Sequence, residues 1–443
     1  LVVTASRPLV RVENGALAYD VEAMAQNSTA NNAYEAILRI PGVSEGADGT
    51  LSLAGAGSLT VILNGRPSSM TAEQLATLLR STPVERIERA DVMYSAPPSF
   101  HVRGAVVNVQ LKKSNDYTFQ GELGANYFNN YNDNYATHAN LRMATPKIAF
   151  DLMYKVGQYT EAQKMRLSSL HQFDGRLYDI RQEQISVNEG RRHNYRAALE
   201  YNWGEGDNLS LAYTGTLAED VERRSLSDGN YQKSESVTAS DYDFMNNVSL
   251  SMQLSAGLSA GVDYTLYKSR DASNMSVLYK EAGSLARTVY TSGQKIGSLT
   301  AYADRTRPLA RGWTLGYGAS YKFISTENYQ HYSEALTPSA PDIDTELDET
   351  TASLYFSAGK QYASGVSFSL SATGEYYKIG DYKKWSFYPQ GSLTWMRNPN
   401  HILQASLSVD KHFPSYWALQ GTVSYLDGYS ELHGSPALRP LTR

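Results

Sequence analysis

The sequence contains no cysteine, which excludes disulfides, thiolate metal sites and cysteine nucleophiles together. It also has no apolar run of about 20 residues, the length a membrane-crossing helix needs. A basic excess is missing too: the net charge is -5, whereas nucleic-acid binders carry a basic stripe. Catalytic motifs are equally scarce. The eight histidines are scattered without the H-x-x-x-H spacing of a helical metal site, and no G-x-S-x-G elbow is present. Neither an enzyme nor a bound cofactor is expected.

What the chain does have is 33 tyrosines, 33 glycines and 443 residues, enough for one large unit plus a small one. Its mean hydropathy of -0.42 is compatible with membrane residence in a β-barrel, where only alternate residues meet lipid. Residues 193–203 show that alternation. His193, Tyr195, Ala197, Leu199, Tyr201 and Trp203 form one face, and Asn194, Arg196, Ala198, Glu200 and Asn202 form the other. Residues 313–323 and 366–376 repeat the pattern. These runs are about twice the length of strands in soluble sandwiches, as tilted membrane-spanning strands require. Short turns near Pro146, Gly204, Gly257, Gly312, Gly365 and Asn400 are expected to alternate with longer polar connections at residues 163–190, 219–240 and 325–348. Short turns on one rim and long loops on the other are the outer-membrane pattern. Tyr201, Trp203, Trp313 and Trp395 flank the short turns and fit an interfacial aromatic girdle.

The first quarter reads differently. Residues 58–113 carry branched apolar runs around one amphipathic helix bearing Leu75, Leu78 and Leu79, which predicts a small α+β unit. A short helix is expected at residues 31–39, and strands at 50–54, 59–63, 84–93 and 105–111. Between the last two strands lies a loop stiffened by Pro97-Pro98. Asp342, Asp344, Glu346 and Asp348 could supply oxygen ligands to Ca²⁺, although composition favours a solvated loop. About 13 strands are counted up to His412, an odd number where closed bacterial barrels are even, so the chain is expected to be part of a longer barrel.

LVVTAS at residues 1–6 resembles the energy-coupling box of TonB-dependent outer-membrane transporters. ILRIPGV, VILNGRPSS, VERIERADVM and GAVVNVQLKK are similar, in order and spacing, to successive signatures of that family's plug. Residues 413–417 and 434–440 resemble a mid-barrel segment. The resemblance implies an N-terminal α+β plug inside a mainly β, transmembrane antiparallel β-barrel of about 22 strands when complete. Residues 1–6 would be the coupling segment, 7–115 the plug and 116–443 the first part of the barrel.

It further implies TonB-dependent nutrient uptake across the cell outer membrane, driven by the inner-membrane proton gradient. Val2, Val3, Thr4 and Ala5 would bind the periplasmic TonB-type partner by strand addition. Pro98, Ser99, Phe100, His101 and Arg103 would contact cargo at the plug apex. Arg86 and Arg89 would latch onto barrel carboxylates such as Glu200 and Glu375. Cargo could be an iron or cobalt chelate, a glycan or a peptide, and the resemblance also admits a surface lipoprotein as lid. The apex loop and Ser435 depart from the family's usual sequence, which bears on cargo more than on fold. The alternative is a surface-binding, adhesive or structural barrel with a permanent plug.

Overall fold

The computed structural model of the chain describes residues 9–13, 15–26, 30, 32–46, 51–56, 59–65, 72–80, 82–112, 117–130, 132–204, 206–335, 342–398, 401–409, 411–412, 414, 416–419, 421–425, 431–435 and 437–442. The plug strands are β1 (Val10–Glu13), β2 (Ala16–Tyr19), β3 (Val43–Glu45), β4 (Leu51–Leu53), β5 (Leu59–Leu63), β6 (Ile87–Met93) and β7 (Ala105–Leu111). Five of them make one sheet in the order β1-β2-β6-β7-β5, with β5 and β7 parallel. β3 and β4 pair apart from it.

Alternation in β6 and β7 gives this sheet two unlike faces. Ala90, Val92, Val107 and Val109 enter the main core. Asp91, Asn108 and Gln110 are on the other side and line a cavity. Helices α1 (Val21–Gln26), α2 (Ala33–Leu38) and α3 (Ala72–Arg80) contribute Val21, Ile37, Leu75 and Leu79 to the core. Ile37 is fully buried, a gain of about 1.5–3 kcal/mol. Asn32 caps α2 by accepting from the Glu35 amide at 2.9 Å, a contribution of about 1 kcal/mol. The expected strand at 84–93 begins instead as a single 3-10 turn, Val84–Arg86, because the extended residue Pro83 sets up a turn that β6 then leaves.

Residues 118–407 form one antiparallel sheet of 13 strands from Thr118–Asn130 to His401–Leu407, after which Lys411–His412 pairs with Leu441–Thr442 and Val423–Tyr425 with Glu431–His433 apart from it. Among the described residues the first and last strands do not pair with each other. Among the described residues no helix is long and apolar enough to cross a membrane; the strands make the crossing. In Ile343–Gln361 the outward Leu354 is 69% exposed while its neighbour Tyr355 is 7% exposed. That contrast is what lipid outside and packed lumen inside demand. Tyr201 and Trp203 lie 5.8 Å apart, and Trp313 meets Phe368 edge-on at 5.8 Å. Both pairs sit beside short turns, as the girdle requires.

The expected long loops are corrected. Ile148–Phe173 and Arg176–Gly204 are strands of 26 and 29 residues that stay paired to Phe173↔Arg176. Residues 219–240 likewise continue a ladder, and Ser325 pairs with Asp348. Beyond the bilayer no lipid enforces apolar alternation, yet backbone pairing persists, so polar sequence there is strand.

Candidate functional site: the plug–barrel contact and the lumen cavity

Pro97 and Pro98 lead the apex into one 3-10 turn, Pro98–Phe100, which ends at His101 in the left-handed region (φ 53°). The Ala96 amide donates to the Gly104 carbonyl at 2.9 Å and closes the loop. Two basic side chains leave this rigid turn for the barrel wall. His101 Nε2 lies 2.7 Å from Asp304 Oδ2, and the imidazole packs on Tyr302 at 4.7 Å between centroids. Arg103 donates to Glu375 Oε2 at 3.1 Å and sits 4.0 Å above the Tyr388 ring.

Asp304, Gly318 and Tyr355 are direct cross-strand neighbours. A Cβ on Gly318 would lie 2.1 Å from Asp304 Oδ1 and 2.7 Å from Tyr355 Cε1, so glycine makes the room in which His101 docks. Glu375 has a second cation: Lys411 Nζ is 2.8 Å away and 3.8 Å from the Tyr377 ring. A charge this buried requires such matching. Neutral contacts add to the attachment. Gln361 donates to the Val12 carbonyl at 2.7 Å, and Thr394 to the Gly15 carbonyl at 3.2 Å.

The expected site residues therefore fall into place differently from the reading by resemblance. His101 and Arg103, expected at cargo, join plug to barrel. Phe100 packs under the loop with Ile62, Met93 and Val106, and Pro97 and Ser99 line the cavity. Glu375 does meet a plug arginine, but the arginine is Arg103. Arg89 stays within its own sheet, contacting Glu13 and lying 3.1 Å from Asp91 Oδ1, because β1 and β6 flank β2 and bring these side chains together. Arg86 and Glu200 line the same cavity without an ion pair between them. Val2, Val3, Thr4 and Ala5 lie outside the described residues. The Ca²⁺ reading is corrected. Asp344, Glu346 and Asp348 are spaced along one extended strand, Asp344 faces His331 at 3.0 Å, and Asp342 accepts from the Tyr332 amide. Among the described residues no group of three or more His, Cys, Asp or Glu is placed to hold a metal.

Between the polar face of the plug sheet and the barrel wall lies a cavity of about 1100 Å³. Asp91 borders it, accepting from Gln110 at 2.7 Å and Asn108 at 3.3 Å. Burial, only partly offset by Arg89 and these donors, raises its carboxyl above the ordinary value. The Asp304 and Tyr355 sockets were not legible in the sequence. Gly316 and Gly318, two glycines on the lumen side of one strand, were the available signal.

This geometry defines an outer-membrane β-barrel protein with a plug seated against its inner wall. Residues 253–442 match the family model described as "Outer membrane protein beta-barrel family". Among solved structures the chain is similar to the copper transporter OprC, with 10% identity, 94% of this chain and 66% of that one covered, and a TM-score of 0.51. The ferripyoverdine receptor of the outer membrane of Pseudomonas aeruginosa gives 12%, 92%, 58% and 0.48. The hemophore receptor HasR of Serratia marcescens gives 10%, 96%, 68% and 0.48. No curated protein matches by sequence. The chain spans 66% and 58% of the first two of these structures. The likeness to OprC shows a shared fold.

Proposed function

We propose that the protein takes up a nutrient ligand across the outer membrane, gated by the plug and energised through a TonB-type periplasmic partner. The supporting observation is the manner of attachment. Among the described residues the plug meets the wall through discrete polar pairs, above all His101–Asp304 and Arg103–Glu375 on the apex loop, and through Met396 and Ile402 against its core, with a cavity of about 1100 Å³ beside it. A permanent structural plug would be expected to fill that gap. In this reading Val2, Val3, Thr4 and Ala5 add as a strand to the partner and transmit a pull. Cargo belongs to the classes of metal chelate, glycan or peptide, and the likeness to a copper transporter favours a metal-bearing one.

The test deletes residues 2–5 in cells expressing the whole protein. Ferric and cobalt chelates, oligosaccharides and oligopeptides are screened as radiolabelled probes. Uptake sensitive to a protonophore is expected to vanish while surface binding of the same probe survives. Unchanged uptake would overturn the mechanism. Binding without uptake in the intact protein would favour the surface-binding barrel.

A further inference from the structure

Arg86 ends the 3-10 turn before β6 and reaches the cavity, where the wall presents Arg142, Asp151, Arg196 and Glu200. Arg142 Nη1 donates to Asp151 at 2.6 Å, and Arg196 donates to the Thr214 hydroxyl at 3.1 Å. Arg142↔Asp151 and Glu200↔Ala149 are register partners on adjoining strands, so these wall groups form one patch. At this patch three guanidiniums face the two wall carboxylates, one of them already used by Arg142, while Glu13, Glu88, Asp91 and Asp263 line other parts of the same cavity. Among the described residues no carboxylate forms an ion pair with Arg86, and Arg142 Nε, though buried, makes no hydrogen bond.

We infer that Arg86, Arg142 and Arg196 form an anion-binding station inside the lumen, taking a carboxylate or phosphate group of a small molecule. Guanidinium groups recognise both groups through planar N–H forks. The electrostatics agree with the geometry. Burial and then the like charge of Arg142 push the Arg86 guanidinium down to about 10, with Asp151 and Glu200 only partly opposing them. A cation so placed is stabilised by an incoming anion.

The cavity reaches from Pro97 and Ser99 at the apex to Thr145 and Gly206 at the short-turn rim. A ligand moving along it would meet the arginine patch once the apex contacts of His101 and Arg103 are released. Placing the station on the route of cargo rests on the transport reading; the anion site itself does not.

Phenylglyoxal modification of the whole protein in detergent, read by mass spectrometry at each arginine, tests the site directly. Inorganic phosphate and citrate are the probes, glucose is the neutral control and the exposed Arg181 is the internal reference. At about ten times its Kd an anion is expected to slow modification of Arg86, Arg142 and Arg196 together by about tenfold. Arg181 is expected to be unchanged, as are all rates in glucose. Arg196→Gln is expected to weaken protection at Arg86 while leaving Arg181 alone. Equal rates with and without anion would overturn the inference, and so would protection extending equally to Arg181, the signature of an adventitious ion only. Protection in a protein that takes up no probe would remove the transport reading and keep the site. Uptake without protection would do the reverse.

Discussion

Truncating Glu375 and truncating Arg103 break the same contact, yet the structure predicts very different costs. Glu375 is 7% exposed and serves two cations, Arg103 at 3.1 Å and Lys411 at 2.8 Å. Glu375→Ala strands both, and Lys411 is itself only 6% exposed. Removing one partner of a buried pair in this way costs about 3–5 kcal/mol. Arg103→Ala leaves Glu375 matched by Lys411. It forfeits a charge-assisted hydrogen bond, a loss of about 1.5–3 kcal/mol.

At about 1.4 kcal/mol per decade, the released population of the apex loop rises about 10²-fold or more for Glu375→Ala and about ten- to a hundredfold for Arg103→Ala. Hydrogen exchange at residues 97–104, followed by mass spectrometry in detergent, measures that population. Lys411→Ala, which leaves the Arg103–Glu375 contact in place, should loosen the loop least of the three. If Arg103→Ala loosens the loop as much as Glu375→Ala, the account of Glu375 as a carboxylate shared by two cations is wrong.

Further outcomes are expected elsewhere. Gly318→Ala places a methyl against Asp304 and Tyr355. It should cost about 1–3 kcal/mol and raise proteolysis of the apex loop without unfolding the barrel. Asp91 has a carboxyl raised by burial above its unfolded value of 3.8. Its protonation therefore stabilises the plug at and below that value, and the benefit is lost as pH rises through the folded pKa. Asp91→Asn should flatten this part of the plug's stability–pH profile, read by proteolysis across that window. Leu354→Arg puts a guanidinium on the lipid face. It should lower barrel stability in liposomes by about 2–4 kcal/mol if the position is near the midplane, whereas Ser353→Arg on the opposite face should be milder.

The parts of the fold legible in the sequence are those where the solvent dictates the pattern. Leu199, Tyr201 and Trp203 had to alternate with Asn202, Glu200 and Ala198 because lipid lies on one side, and Ala105–Leu111 was bounded by its own run of valines. Leu75 and Leu79 likewise face the core as their helical spacing required. Residues 163–190 were unreadable as strand because they stand in water on both faces, where only backbone pairing marks them. The partner of Arg103 was hidden for another reason. Glu375 lies 272 positions away, and which arginine of Arg86, Arg89 and Arg103 reaches it depends on how the plug sheet is rotated in the lumen. Arg89 was already taken by Glu13, a contact fixed only when β2 docks beside β6.

The uneven strand lengths bear on how anything arrives at the mouth. Seven consecutive strands, from Ile148–Phe173 to Trp313–Glu334, run for 22 to 29 residues, while Val366–Ile379 and Tyr382–Asn398 have 14 and 17. With a rise of about 3.3 Å per residue and a tilt of about 45°, ten extra residues lift the edge by about 23 Å. Across these strands the rim is cut on a slant, tall over one arc and low over the arc that carries Glu375. A molecule drifting laterally over the cell surface would meet a parapet from one direction and a sill from the other. Under the proposed uptake, capture would then depend on the heading of approach, and a bulky decoy tethered on the sill side should block entry more than the same decoy tethered behind the parapet.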